Sequence, residues 1–168
     1  MTLSIAGRQG HADTGINHVA GDFSNLPAGE AYVAPVEETA EGIIIIDGAM
    51  AGIGVLESPI TLTVEKGYVT KVEGGRETEK LEAMLNEYGK LACNIAELGI
   101  GTNDQAILSG RVLEDEKVMG TVHIALGNNF GFGGTCQVPI HLDGILLSPT
   151  LTIDGQVVIK DGKHLITA

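Results

Sequence analysis

Histidine and carboxylate side chains in the second half of the chain are the residues best suited to chemistry. His141 and Asp143 flank Leu142 in an apolar stretch that is typical of a strand. Residues two apart on a strand project from the same face, so this imidazole and carboxylate should lie together. Such a pair is a compact half-site for a divalent metal. A plain His–Asp hydrogen bond beside a sheet is the alternative, and the tripeptide alone favours it.

Three further residues are candidates for the same chemistry. His123 lies in the apolar strand Gly120–Leu126, where a buried histidine bonded to a backbone carbonyl is the simplest interpretation. Glu97 follows the predicted helix and has apolar neighbours on both sides, so it needs a cation, a donor or a metal. Glu30 closes a turn-rich stretch and, taken alone, is typical of a solvated turn residue.

The elements that must position these residues are mostly strands. Strands are predicted at residues 2–6, 32–36, 42–47, 60–64, 68–73, 118–126, 138–143, 150–153 and 156–160. Leu81, Met84, Leu85, Tyr88 and Leu91 recur at helical spacing and predict one main helix over about residues 77–92.

Residues 9–30 are expected to form a long ordered loop, and residues 104–110 a second short helix. The predicted fold class is therefore α+β. It has a strand-rich, mixed or antiparallel, barrel-like sheet and one helix packed on it.

Composition and charge limit the function. The 168 residues favour one domain spanning 1–168, and the formal charge of −12 argues against nucleic-acid and membrane-surface partners. Two cysteines without metal-ligand spacing, and no basic segment followed by an apolar run at the N-terminus, favour a cytoplasmic setting. The glycine-rich loop 127–134 lacks the lysine of a P-loop and is better interpreted as a pocket rim.

Five segments in collinear order carry a resemblance to a known family. They are Asn25–Glu30 (NLPAGE), Ala34–Gly42 (APVEETAEG), Asn94–Asn103 (NIAELGIGTN), Glu116–Gly127 (EKVMGTVHIALG) and Ile140–Asp143 (IHLD). Together they resemble the C-terminal domain of the aminopeptidase T and aminopeptidase S family of metallo-aminopeptidases. The likeness covers nearly the whole chain, and five ordered motifs are more specific than any one of them.

The resemblance implies a metal centre in a cleft, with ligands at matching positions. These positions are Glu30, Glu97, His123, His141 and Asp143. Two histidines with three carboxylates suit one or two divalent ions, and one of the glutamates, Glu30 or Glu97, would serve as the base. The family's catalytic tyrosine aligns with Phe130, which has no hydroxyl and is expected on the pocket rim. The family's N-terminal α/β domain has no counterpart in this sequence.

Three functions follow from this resemblance. The main hypothesis is a zinc-, cobalt- or manganese-dependent hydrolase of the aminopeptidase type, acting on a peptide or another small molecule. The first alternative is a mononuclear Fe(II) dioxygenase that cleaves a hydroxylated aromatic ring, because the same superfamily includes ring-cleaving dioxygenases of hydroxypyridines. His123, His141 and Asp143 would then form the two-histidine, one-carboxylate face. The second alternative is a non-catalytic, metal-stabilised assembly domain. A homo-oligomer is expected, since a domain of a cleft-forming enzyme exposes surface that its neighbour would cover.

Overall fold

The computed structural model describes residues 1–165, so the end of the expected 1–168 domain lies outside the described residues. Within that range the strands form three sheets, and every strand pair is antiparallel. None of the three sheets closes into a barrel. The predicted strand-rich α+β class with one main helix is confirmed, and the barrel-like form is wrong.

The largest sheet has seven strands, and its central strands are the long ones. Its strands are β1 (His11–Asp13), β2 (Glu30–Val33), β4 (Ala49–Met50), β5 (Gly54–Val55), β8 (Ile95–Gly101), β9 (Val122–Gly127) and β10 (His141–Leu146). The spatial order is β1-β2-β8-β9-β10-β4-β5. This main sheet is the element that carries the candidate site.

Two three-stranded sheets complete the strand content of the described residues. One has the order β3-β6-β7 and the other β11-β12-β13. Their strands are β3 (Gly42–Ile46), β6 (Ile60–Glu65), β7 (Tyr68–Gly74), β11 (Leu151–Ile153), β12 (Gln156–Lys160) and β13 (Lys163–His164). Apolar residues of β3, β6 and β12 share one core with residues of the main sheet.

The main helix, α1 (Glu77–Tyr88), packs on this core through Leu81 and Leu85. It ends where Gly89 takes a positive φ of 71° and donates its N–H to the carbonyl of Leu85. Glycine has no Cβ and enters this conformation at little cost, which explains why the α-helix stops there. A 3-10 helix (Gly89–Cys93) continues the chain, so the predicted helix over 77–92 is correct in place and slightly long.

Several local predictions are wrong. Residues 2–6 form no strand and contribute only a single bridge at Thr2, and the expected loop 9–30 contains β1. The short helix predicted at 104–110 is absent, and α2 (Val112–Asp115) lies just after it. A second 3-10 helix covers Phe130–Phe132. In the described residues no helix is long and apolar enough to cross a membrane.

Candidate metal centre

The main sheet brings all five predicted ligands to one of its faces. Glu30 begins β2, Glu97 lies in β8, His123 in β9, and His141 and Asp143 in β10. These four strands are consecutive neighbours in the sheet. Because side chains alternate along a strand, the intervening residues point to the opposite face, where they join the core. Leu98, Ile124 and Leu142 are examples.

A bulge in β8 sets the direction of Glu97. Ile95 pairs with Leu126, but Glu97 pairs with Ala125, so one extra residue lies between them in β8. Without this bulge, Ile95 and Glu97 would share a face, because residues two apart on a regular strand do so. With it, Ile95 stays in the apolar core and the Glu97 carboxylate joins the site. The sequence prediction missed β8 altogether and placed Glu97 directly after the helix.

A glycine opposite His123 makes room for its ring. Gly99 and His123 are direct cross-strand partners. A Cβ at position 99 would lie 1.8 Å from Nε2 of His123, which no packing allows. The imidazole therefore lies over the backbone of β8, where it is fully buried.

The donor atoms form two overlapping groups of three. The first is Glu30, Glu97 and His123, and the second is Glu97, His141 and Asp143. In each group the ligand atoms all lie within 4.8 Å of one another, and Glu97 belongs to both. His141 is the accessible member, with 32% of its side chain exposed, whereas the other four side chains are buried. The open side of the site is therefore at His141.

Distances between these atoms match ligands that share a cation. Nε2 of His123 lies 3.3 Å from both Oε2 of Glu30 and Oε1 of Glu97. Nε2 of His141 lies 3.4 Å from Oε2 of Glu97 and Oδ1 of Asp143. Charge-assisted hydrogen bonds are usually shorter, at about 2.7–2.9 Å. Ligands bound at about 2.1 Å from one ion lie roughly 3.0–3.4 Å apart, which is the observed spacing.

Lys117 is a site residue that sequence analysis missed. Its side chain is fully buried, and Nζ donates to Oε1 of Glu30 at 2.9 Å and to Glu116. The sequence run Glu114–Lys117 is typical of a solvated turn. The signal that could have indicated burial of Lys117 is its position shortly before the apolar strand β9. The ammonium fixes one oxygen of Glu30. It leaves Oε2 buried without a hydrogen-bond partner.

The electrostatics of the cluster favour positive charge. Burial raises the pKa of Glu30, against the opposing effect of Lys117. Burial and the nearby Asp143 charge raise the pKa of Glu116 to about 7. Burial alone would lower the pKa of His141, but its hydrogen bonds with Asp143 and Glu97 outweigh this and raise it to about 11.

These observations test whether the residues fit a divalent metal, and they do. Glu30, Glu97, Glu116 and Asp143 are four buried carboxylates, with Lys117 as the one ammonium among them. Buried anions in excess are unstable without a compensating cation. Oε2 of Glu30 is buried and lacks a hydrogen-bond partner, and a cation beside it would satisfy it. Imidazole and carboxylate donors are the usual ligands of zinc, iron and manganese.

Aromatic rings border the open side. Phe130, predicted on the rim, is 59% exposed. Phe132, two residues later, is instead the ring that contacts His141, with centroids 5.9 Å apart. Tyr32 contacts Phe132 in turn, at 5.6 Å. Sequence analysis placed Tyr32 in a strand but gave neither Tyr32 nor Phe132 a role at the site.

Solved structures define the class of fold. The chain superimposes on 2,5-dihydroxypyridine dioxygenase from Pseudomonas putida with a TM-score of 0.75 and 23% identity, covering 82% of this chain and 44% of that one. It also superimposes on AmpT from Thermus thermophilus with a TM-score of 0.74 and 21% identity, covering 97% and 46% of the two chains. The fold is thus one that a dioxygenase and AmpT have in common.

Sequence comparison decides between these two branches. The family model of NicX, 2,5-dihydroxypyridine 5,6-dioxygenase, matches residues 1–166, and the chain belongs to this family. A curated relative, 2,5-dihydroxypyridine 5,6-dioxygenase of Pseudomonas putida, is 26% identical over 160 residues. That alignment covers 84% of this chain and 44% of the relative, so the chain spans less than half the length of that relative.

The family assignment corrects the main functional hypothesis. The resemblance to aminopeptidase T is borne out as a likeness of fold, but the supported family is the dioxygenase one. The hydrolase, aminopeptidase and metalloprotease assignments are therefore wrong. That Glu30 or Glu97 is catalytic stays a prediction. The ring-cleaving dioxygenase, stated as the alternative, is the hypothesis that the family match favours.

Proposed function

We propose that this protein is an Fe(II)-dependent dioxygenase that opens the ring of a dihydroxylated pyridine or a closely related aromatic. The observation that carries the proposal is the family match over residues 1–166, which includes the whole donor cluster. The curated relative and one of the solved structures are both named as a dioxygenase of 2,5-dihydroxypyridine from Pseudomonas putida. His141 is the accessible ligand candidate, so a small molecule that approaches from its side would reach the centre.

The proposed ligands are His123, His141 and Asp143. His123 belongs to one donor group and His141 and Asp143 to the other, and Glu97 is common to both. Two imidazoles and one carboxylate that leave positions open are the usual ligand set of non-haem ferrous oxygenases. Ferrous iron bound there would supply the redox chemistry by which both atoms of dioxygen enter the ring-opened product. Zinc, cobalt and manganese, expected with the hydrolase, have no such role in this proposal.

The remaining residues of the cluster would orient the ligand side chains and shield them from solvent. Lys117 holds Oε1 of Glu30 at 2.9 Å, so the carboxylate of Glu30 keeps a fixed direction beside His123. Nδ1 of His141 donates to the carbonyl of Asn128, 2.7 Å away, which directs Nε2 towards Glu97 and Asp143. Such a contact on the second ring nitrogen is how proteins set the orientation of a metal-binding histidine.

The test is oxygen consumption by the ferrous protein. Protein loaded anaerobically with Fe(II) should take up one dioxygen per 2,5-dihydroxypyridine, and the ring absorbance should disappear in parallel. Asp143→Asn keeps the shape but removes the anionic ligand, so it should lower both bound iron and turnover. His18→Ala changes an exposed histidine far from the cluster in sequence and serves as the matched control. Iron-loaded protein that takes up no oxygen with this substrate would refute the proposal.

A further inference from the structure

A row of four rings leads from the edge of the main sheet to the candidate metal centre. His11 stacks on Tyr32 with centroids 5.3 Å apart and an interplanar angle of 23°. Tyr32 meets Phe132 edge to face at 5.6 Å, and Phe132 meets His141 edge to face at 5.9 Å. The row contains one of the three Phe, one of the three Tyr and two of the five His in the chain. We call these four residues the aromatic row.

Tyr32 faces the centre because of its place in β2. It lies two residues after Glu30, and residues two apart on a strand share a face. Its ring is half-buried beside the carboxylates. Burial, together with the charges of Glu97 and Glu30, raises the pKa of the Tyr32 phenol, so its hydroxyl keeps its proton. The phenol is therefore a neutral ring with one polar end near the ligands.

Phe132 supplies a ring at the open side of the centre. It lies between Gly131 and Gly133 in the second 3-10 helix and is half-buried, although its neighbour Phe130 is exposed. Its contact is with His141, the one accessible ligand candidate. Phe132, and Tyr32 in contact with it, are therefore the Phe and Tyr rings that adjoin the accessible ligand candidate His141.

We propose that Tyr32 and Phe132 form the surface on which a flat, hydroxylated aromatic substrate stacks when it reaches the centre. This inference rests on the proposed function and names its specificity determinants. Offset-stacked and edge-to-face ring pairs prefer centroid distances of about 4.5–7 Å, so a planar ring placed among these side chains gains contacts that a puckered ring cannot make. The site thus selects for aromaticity as well as for hydroxyl groups.

The test compares an aromatic probe with a saturated one that carries its oxygen atoms at the same ring positions but has a puckered ring. One is 2,5-dihydroxypyridine, and the other is its saturated counterpart, 5-hydroxypiperidin-2-one. Both are titrated anaerobically into the ferrous protein by calorimetry. Phe132→Leu and Tyr32→Leu should each weaken binding of the aromatic probe about 2- to 12-fold, which is the range of one aromatic contact. Binding of the saturated probe should not change.

Three further variants make the result specific. Tyr32→Phe keeps the ring and should retain the preference for the aromatic probe. Phe23→Leu changes a ring that is 94% exposed and outside the aromatic row, and is the control. Phe130→Leu tests the rim position predicted from sequence. If Phe130→Leu loses the preference and Phe132→Leu keeps it, the inference is wrong.

The outcomes separate this inference from the proposed function. Equal weakening of both probes by Phe132→Leu would mean that the ring only supports the fold, and would overturn the inference even if oxygen uptake continues. Absence of oxygen uptake in the wild-type protein, with the aromatic preference present and lost in both Leu variants, would refute the dioxygenase and leave the stacking surface standing. Iron content and melting temperature are measured for every variant, so that a lost site is recognised as such.

Discussion

Replacing Gly99 with alanine should disable the centre through a single methyl group. The backbone at Gly99 is outside the left-handed region, so alanine can adopt it and only packing decides the outcome. The new Cβ would lie 1.8 Å from Nε2, 2.2 Å from Cε1 and 2.5 Å from Cδ2 of His123. The ring must retreat by roughly 1.2 Å to reach even a 3.0 Å contact, whereas metal–ligand distances tolerate only about ±0.2 Å. His123 would therefore be lost as a ligand.

The expected magnitudes follow from two separate effects. Overpacking a buried site costs about 1–3 kcal/mol. For a chain of this size each kcal/mol lowers Tm by about 2–4 °C, so metal-free Gly99→Ala should melt about 2–12 °C lower. Losing His123 as a ligand should weaken metal binding at least as much as losing an outer partner of a ligand, which typically costs about 10–100-fold in affinity. The increase in Tm on adding Fe(II) anaerobically should accordingly shrink or disappear.

The assay is calorimetric melting and metal titration of wild type, Gly99→Ala and Gly10→Ala. Gly10 also lies outside the left-handed region, and a Cβ there has no neighbour within 4 Å, so this variant should match wild type in both measurements. Gly99→Ala that binds iron with wild-type affinity would show that His123 is not a ligand, or that the strands separate to admit the methyl group. Either result would refute the argument.

Two further predictions concern the charges of the cluster. Lys117→Met leaves Glu30 and Glu116 buried without their ammonium and should lower the free energy of unfolding, measured in urea, by about 3–5 kcal/mol. Lys71→Met, whose partner Glu73 is exposed, is the control and should lower it by under about 1 kcal/mol. Similar losses in both variants would contradict the burial argument. In metal-free protein the pKa of His141 is raised from its ordinary 6.5 to about 11 in the folded state. The stabilisation that the protonated imidazole adds to the free energy of unfolding is therefore complete below pH 6.5 and is lost as pH rises towards 11. Tm in chelator should fall over that window, and His141→Gln should flatten the slope relative to His18→Gln; an unchanged slope would rule out this origin.

The sequence indicated which candidate residues lie together better than it predicted the sheet that carries them. All five ligand candidates come together on one face, and residue types plus a five-segment resemblance were enough to find them. The roles of these residues as ligands stay predictions. Strands β3, β6, β7 and β12 were placed correctly or nearly so, because each alternates or is continuously apolar and ends at a turn.

What sequence reasoning missed depends on contacts between distant segments. Strand β8 was not recognised, since its glycines and its buried Glu97 depart from ordinary strand composition. Those departures have a function: Gly99 admits the His123 ring, and the bulge before Glu97 turns the carboxylate to the site. Likewise, Lys117 resembles a surface residue in the sequence, and its burial becomes apparent from its ion pair with Glu30, which is distant in the chain. Predictions from local sequence pattern therefore fail here at positions of the candidate site. This is expected, because functional sites often depart from the composition of ordinary strands and turns.

The choice between hydrolase and dioxygenase could not come from the ligand residues at all. The same five positions were compatible with peptide hydrolysis and with oxygen chemistry, and AmpT and a dioxygenase have closely similar fold scores against this chain. A fold and a donor set fix where a metal can lie, whereas the surroundings of the metal determine what reacts there. Around the candidate centre these surroundings include the aromatic row and, at the position aligned with the catalytic tyrosine of the aminopeptidases, Phe130. Phe130 has no hydroxyl to donate to the tetrahedral oxyanion of peptide cleavage. The rings of Tyr32 and Phe132 offer contact area to a planar molecule.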